Sequence, residues 1–270
     1  MHLQGRPFLV LFIGAFLLVS CTTPVRQKRS MPLPIGERGG VQAPAHSQQS
    51  GYEGSGGFLQ LRDHTGAIRQ VKWVKRSESL GKPNDGTLAG GVLFPMQGPG
   101  WIRKKGPAYG TDETLRLLDW AFQEVRSMYP GSSPIVVGDI SGQWGGPLKK
   151  HNSHQSGRDV DIGYFAADNE PLRGFRKLTA ATMDVEKTWA LVERFLVTGY
   201  VRFIFISYVL QEPLYEEALA CGWSPEELER IFQYPRGHRT RKGIIRHAKG
   251  HQDHFHLRFK CPASDSQCVP

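Results

Sequence analysis

The spacing of apolar and polar positions changes several times along the chain, and each change marks an element. "FLQLRDHTGAIRQVKWV" (58–74) alternates around His64-Thr65-Gly66, which predicts a β-hairpin. "GGVLFPM" (90–96) and "PIVVGDIS" (134–141) are short apolar runs suited to buried strands. "TDETLRLLDWAFQEVRSMYP" (111–130) carries a helical period, with Thr111 as N-cap and Pro130 past its end. "DVDIGYF" (159–165) reads as a strand, and "DVEKTWALVERFLVTG" (184–199) as a helix closed by Gly199. A strand "YVRFIFISYVL", helices "EPLYEEALACG" and "SPEELERIF", and a last strand "DHFHLRF" (253–259) complete the order. Helices and strands mixed in this way predict an α+β fold: a mostly antiparallel central sheet flanked by helices, in a single catalytic domain over 77–270.

The segments before that domain are of another kind. "MHLQGRP" is a positive n-region and "FLVLFIGAFLLV" a 12-residue apolar core, too short to span a bilayer as a mature helix. "LVSC" then resembles a bacterial lipobox, which makes 1–20 a signal peptide and Cys21 the lipidated first residue of the mature chain. An ordinary signal peptide cut nearby is the alternative. Residues 21–56 are rich in Pro, Gly, Ser and Gln and lack periodicity, as a flexible tether does. Such a chain spans roughly 30–35 Å on average. Residues 57–76 form the hairpin-like extension. The resulting expectation is export to the periplasm, with outer-membrane anchoring through Cys21.

The net charge of +9 comes from scattered Lys and Arg, and no zinc-finger or RNP pattern accompanies it, so no nucleic-acid partner is expected. In an oxidising compartment Cys261 and Cys268, seven apart, are the natural disulfide pair, with Cys221 outside it.

Two polar stretches carry the candidate chemistry, "HNSHQSGRDVDIGYF" (151–165) and "GHQDHFHLRF" (250–259). Alternate residues of a strand share a face. Asp159 and Asp161 therefore oppose Val160 and Ile162, while His254, His256 and Arg258 oppose Phe255, Leu257 and Phe259. His254 and His256 then lie about 6.5 Å apart along the strand. If the two strands are neighbours, carboxylate and imidazole converge, and His154 arrives from the loop feeding the first. Two imidazoles, a carboxylate and an open fourth position make a catalytic zinc site. The candidate ligands are His154, Asp161 and His256, leaving His254 for proton transfer or oxyanion stabilisation. Taken alone, an H-x-H among ten histidines or a polar turn before a strand has an ordinary structural explanation. The combination is stronger, because burying such a polar face without a metal or partners costs several kcal/mol.

With its H-x6-D (His154…Asp161) and H-x-H (His254–His256) motifs, the chain resembles the penicillin-insensitive murein endopeptidases. These belong to a wider group with lysostaphin-type enzymes and D-alanyl-D-alanine dipeptidases. The resemblance runs over 79–268, from "SLGKPNDGTLAGG" through "VVGDIS" and "HNSHQSGRDVDI" to "HQDHFHLRFKCPASDSQC". It implies a zinc D,D-endopeptidase acting on crosslinked peptidoglycan stem peptides. The family zinc ligands fall on His154, Asp161 and His256, further active-site histidines on His151, His251 and His254, and a disulfide on Cys261–Cys268. In this reading His254 and His251 serve catalysis and His151 binds substrate; apart from the resemblance, Arg158 either holds a stem-peptide carboxylate or has a surface role. Thr87 stands where the family carries a cysteine, and no Asp–Gly–Lys–His segment follows Phe165, which argues for one zinc ion rather than two.

Other chemistries fit less well. "SLGK" (79–82) matches the S-x-x-K of penicillin-binding proteins, but S-x-N and K-T-G are absent. H-E-x-x-H is absent too, and Cys221 lies in an amphipathic stretch as a packing residue. A D-alanyl-D-alanine carboxypeptidase or dipeptidase on the same site, or a non-catalytic wall-binding lipoprotein, are the remaining readings.

Overall fold

The computed structural model describes residues 56–270. The signal segment, Cys21 and the tether up to residue 55 lie outside the described residues. Strands β1 (Gly56–Arg62) and β2 (Ile68–Val74) form the expected hairpin, pairing in register from Gly56↔Val74 to Arg62↔Ile68. Asp63 closes its turn by accepting from the backbone N–H groups of Thr65 and Ala67. Leu59, Leu61 and Trp73 on its inner face belong to the same apolar core as the rest of the chain. A second hairpin follows, β3 (Glu78–Lys82) with β4 (Asp85–Ala89).

After it come β5 (Val92–Leu93), β6 (Gln97–Gly98), β7 (Trp101–Arg103) and β8 (Tyr109–Gly110), then helix α1 (Asp112–Met128) and β9 (Ile135–Val137). The second half contains β10 (Asp159–Gly163), α2 (Val185–Val197), β11 (Val201–Phe205), α3 (Tyr208–Ala220), α4 (Pro225–Ile231), β12 (Ile245–Arg246) and β13 (His254–Phe259).

Seven of these strands make one sheet in the order β12-β11-β13-β10-β9-β7-β6. Its neighbours are antiparallel except β11–β12 and β7–β9, which are parallel. The fold is α+β, as expected. One sheet face is wholly apolar: Val160, Ile162, Ile204, Ile245, Phe255, Leu257 and Phe259 are all buried. Against it lie α1 and α2, joined by edge-on contacts from Phe122 to Phe195 and from Phe195 to Phe259. Thr111 caps α1 by accepting from the Thr114 N–H, and Asp184 caps α2 by accepting from Lys187. The helices thus fix the apolar face, and the other face of β10, β13, β11 and β12 is left for chemistry. Among the described residues, no helix is long and apolar enough to cross a membrane.

Two local expectations are corrected. "YVRFIFISYVL" is not one strand: β11 ends at Phe205, and Tyr208–Leu210 opens α3. Burial of Leu210, Gln211, Leu214 and Ala218 on one helical face outweighs the β-propensity of Tyr208 and Val209. "GGVLFPM" supplies only β5, which pairs with β8 outside the main sheet, and Pro95 has no N–H to extend it. Cys221 packs part-buried against the core, as expected, from the C-cap of α3, and its thiol donates to Glu217 Oε1.

Candidate functional site

The register that the sequence left open brings the two polar stretches together. β10 and β13 are antiparallel neighbours with Asp161 opposite His256 and Asp159 opposite Arg258. Directly opposed residues on one face lie close enough for side-chain contact. His256 Nδ1 and His154 Nε2 each come within 3.2 Å of Asp161 Oδ1. Ligand atoms at about 2.0–2.1 Å from a tetrahedral zinc are about 3.3 Å apart, so these separations suit a shared ion.

His154 reaches the site from the loop before β10 in a left-handed backbone conformation (φ 68°), uncommon for a residue with a side chain. Two hydrogen bonds hold it there. Its backbone N–H donates to Asp159 Oδ2 at 3.1 Å, and its ring Nδ1 donates to the Ile140 carbonyl at 2.9 Å. The tautomer so fixed leaves Nε2 as a lone-pair donor facing Asp161. His154 Nε2 and His256 Nε2 are both buried without a hydrogen-bond partner. His256 Nε2 lies 3.5 Å from Asp159 Oδ2, within ion-pair range but too long for a formed hydrogen bond.

The charges agree with this arrangement. Burial pushes the Asp161 carboxyl upward, but the His154 and His256 imidazoles outweigh it and hold it well below the usual carboxylate range. Burial of Asp159 is likewise outweighed by His256 and Arg258. Burial lowers the His256 pKa, yet Asp159 and Asp161 raise it to about 9. Two carboxylates therefore favour positive charge at this point, which a metal ion supplies. The orphaned His154 Nε2, the matched separations and the two buried carboxylates fit a metal ion.

Three more histidines surround the cluster. His151 donor atoms lie within 4.8 Å of those of His154 and Asp161, so it too is a possible ligand. However, His151 Nε2 pairs with Asp139 Oδ2 at 2.8 Å, and its Nδ1 is 3.8 Å from Asp161. His254 stacks on Phe175 (centroids 4.7 Å apart, 14° between planes) and bonds through Nδ1 to Asp253 Oδ1 at 2.6 Å. Its Nε2 faces Asp161 Oδ1 at 3.7 Å. His251, 4.9 Å from His254 between ring centroids, has its pKa lowered to about 4 by burial and by His254 and His256. It is a neutral imidazole at neutral pH.

Of the residues singled out from sequence, His151, His154, Asp161, His251, His254 and His256 converge. Arg158 does not. It is 1 % exposed and donates to Ser79 Oγ, the Phe259 carbonyl and the Val269 carbonyl, tying the C-terminal segment to β3. The expected substrate role for Arg158 is therefore corrected: no part of the fork is left for a ligand. Ser79, the would-be serine of S-x-x-K, is buried in that same tie. Cys261 and Cys268 are disulfide-bonded. Sequence reasoning gave no role to Asp139 or Asp253, which bond to His151 and His254. It placed Asp159 on the right face without seeing its task. Asp139 lies in "VVGDIS" and Asp253 adjoins His254, but only the fold shows which histidine each one reaches.

Fold and donor set together define an α+β protein with a candidate mononuclear metal centre among accessory imidazoles. The family model for penicillin-insensitive murein endopeptidases matches residues 79–197. A protein of that name from Haemophilus influenzae is 26% identical over 198 residues, covering 72% of this chain and 67% of the relative. One from Klebsiella pneumoniae subsp. pneumoniae is 22% identical over 232 residues, covering 78% and 79%. Over the matched residues the chain is similar to the penicillin-insensitive murein endopeptidases. The family match takes in His151, His154 and Asp161, and the sheet register brings His254 and His256 to them from beyond its end.

Proposed function

We propose that this chain is a zinc-dependent D,D-endopeptidase that hydrolyses the peptide crosslinks of peptidoglycan, at the bond between D-alanine and a neighbouring diamino acid. The observation that carries this is the convergence of His154 Nε2, Asp161 Oδ1 and His256 Nδ1 with 3.2 Å separations from the carboxylate. His256 rather than His151 is the third ligand, since its nitrogen is nearer to Asp161 and His151 is engaged by Asp139. One bound zinc would polarise the scissile carbonyl and lower the pKa of a water toward neutrality.

The chain's own residues handle protons and orientation. Asp253 accepts from His254 Nδ1, which fixes the tautomer and leaves Nε2 facing the cluster to take a proton from water and return it to the leaving amine. His251, neutral at working pH, accepts or donates one hydrogen bond beside it. The Asp139–His151 pair stands beside Asp161, where it can hold a polar group of the substrate.

Purified dimeric muropeptides incubated with the chain are expected to yield monomers at an unchanged rate in the presence of penicillin, because no serine is acylated. Release of terminal D-alanine from monomers with intact dimers would instead make the enzyme a carboxypeptidase, and inhibition by penicillin would remove the mechanism. The same reading places the protein in the periplasm, held to the outer membrane by lipid on Cys21. Cys21→Ser is expected to abolish palmitate labelling and move the protein from the membrane to the soluble fraction. An unlabelled wild type would leave an ordinary exported protein.

A further inference from the structure

With Arg158 committed to the interior, the sheet register points to another arginine on the face that carries the site. Asp161 is opposite His256, His256 opposite Phe205, and Phe205 opposite Arg246. These four residues form one row across β10, β13, β11 and β12. The alternation of β12 agrees: Ile245 is buried in the core, so Arg246 takes the same face as His256. Strands are spaced about 4.8 Å apart, so the Arg246 backbone is about 10 Å from that of His256. Phe203 and Phe205, both half-buried, form the floor between them.

The Arg246 guanidinium is held in place before any ligand arrives. Its Nε donates to the Gly243 carbonyl at 2.7 Å, and its plane lies 4.1 Å from the Phe203 ring centroid. The two terminal nitrogens have no hydrogen-bond partner among the described residues, and none of Arg202, Arg241 and Arg246 forms a salt bridge there. Arg202 approaches the same ring from 5.0 Å. Burial, then Arg202 and Arg241, push the Arg246 pKa down, the sign of a cation crowded by like charge. From Arg239 to Lys249 the chain has five Lys or Arg and no acid, and none of the five forms an ion pair among the described residues. Gathering cations without a counter-charge costs stability, which a bound anion would recover. A half-buried fork with two free donors suits the planar, bidentate geometry of a carboxylate.

We propose that Arg246, supported by Arg202 and Arg241, forms a subsite on the sheet face beside His256 that binds a free carboxylate of a peptidoglycan stem peptide. The proposal rests on the endopeptidase reading for the identity of its ligand, but its test does not require cleavage. Binding of an uncrosslinked stem tetrapeptide to the full chain is measured by calorimetry, with the peptide carboxylates either free or amidated. Wild type is expected to prefer the free form by about tenfold or more, the scale of a hydrogen-bonded ionic contact. Arg246→Gln should shrink the preference to within about twofold, and Arg246→Lys should keep part of it because charge remains without the fork. Arg202→Gln and Arg241→Gln, at exposed positions that do not endanger folding, should each reduce it by about two- to fivefold. A preference that survives in a folded Arg246→Gln chain, or a wild type that binds both forms alike or neither, overturns the subsite. Dimer cleavage is scored separately. Cleavage without the preference rejects the subsite alone, and the preference without cleavage rejects the endopeptidase reading alone.

Discussion

Alanine in place of His154, Asp161 or His256 is expected to strip zinc from the chain and reduce crosslink cleavage by about 10³-fold or more. Loss of one of three ligands weakens zinc binding sharply, and the chemistry of bound water depends on the ion. Burial makes the effect local rather than global: the three side chains are 1 %, 4 % and 6 % exposed, and each faces the cluster from its own element. His254→Ala provides the contrast. It should keep its zinc and lose about 10²–10⁴-fold in rate, the range for a missing general acid–base group. His151→Ala should also keep zinc. Metal analysis of the five purified variants beside wild type decides the ligand set. Tight zinc in His256→Ala together with loss from His151→Ala would transfer the third ligand position to His151.

Asp159 has the second-largest expected effect although it is assigned no contact with zinc. Its carboxylate receives Arg258 Nε at 2.7 Å and Arg258 Nη2 at 2.8 Å, and it also takes the backbone N–H of His154. It lies beside His256 as well, so one buried carboxylate sets both the strained backbone of one ligand histidine and the charge around the other. Asp159→Ala leaves the half-buried Arg258 and the His154 backbone N–H without their partner and is expected to cost about 2–4 kcal/mol of stability. Asp159→Asn keeps the shape and should fold. Its zinc affinity is expected to fall about 10–100-fold, the usual effect of removing an outer-shell partner. Competition with a chromogenic chelator measures this without reference to activity. Wild-type affinity in Asp159→Asn would show that His154 holds its position without the carboxylate.

The site was legible in the sequence where period and spacing are local. Alternation in "DVDI" and "DHFHLRF" put Asp161 and His256 on polar faces, because a strand gives its side chains no other choice. Pairing of the two strands was a condition then, and it depends on how residues nearly a hundred positions apart meet across the sheet. The same limit hid Asp139, which reaches His151 across 12 residues, and Arg246, whose place in the row exists only once β12 has paired with β11. Arg158 failed for a related reason. An arginine in a polar turn before a strand is ordinarily solvated, but here the C-terminal residues fold back and supply carbonyls for its fork. Helix boundaries set by caps were readable at Thr111, while the start of α3 was not, since Ser207 makes no side-chain cap there.

The most direct test of the proposed chemistry is a zinc titration on crosslinked dimers. The full chain is depleted with a chelator until metal analysis finds none, and cleavage is followed as zinc is returned. The expected result is loss of cleavage on depletion and full recovery with an end point at one zinc per chain. Undiminished cleavage by the metal-depleted chain would contradict a zinc-dependent endopeptidase.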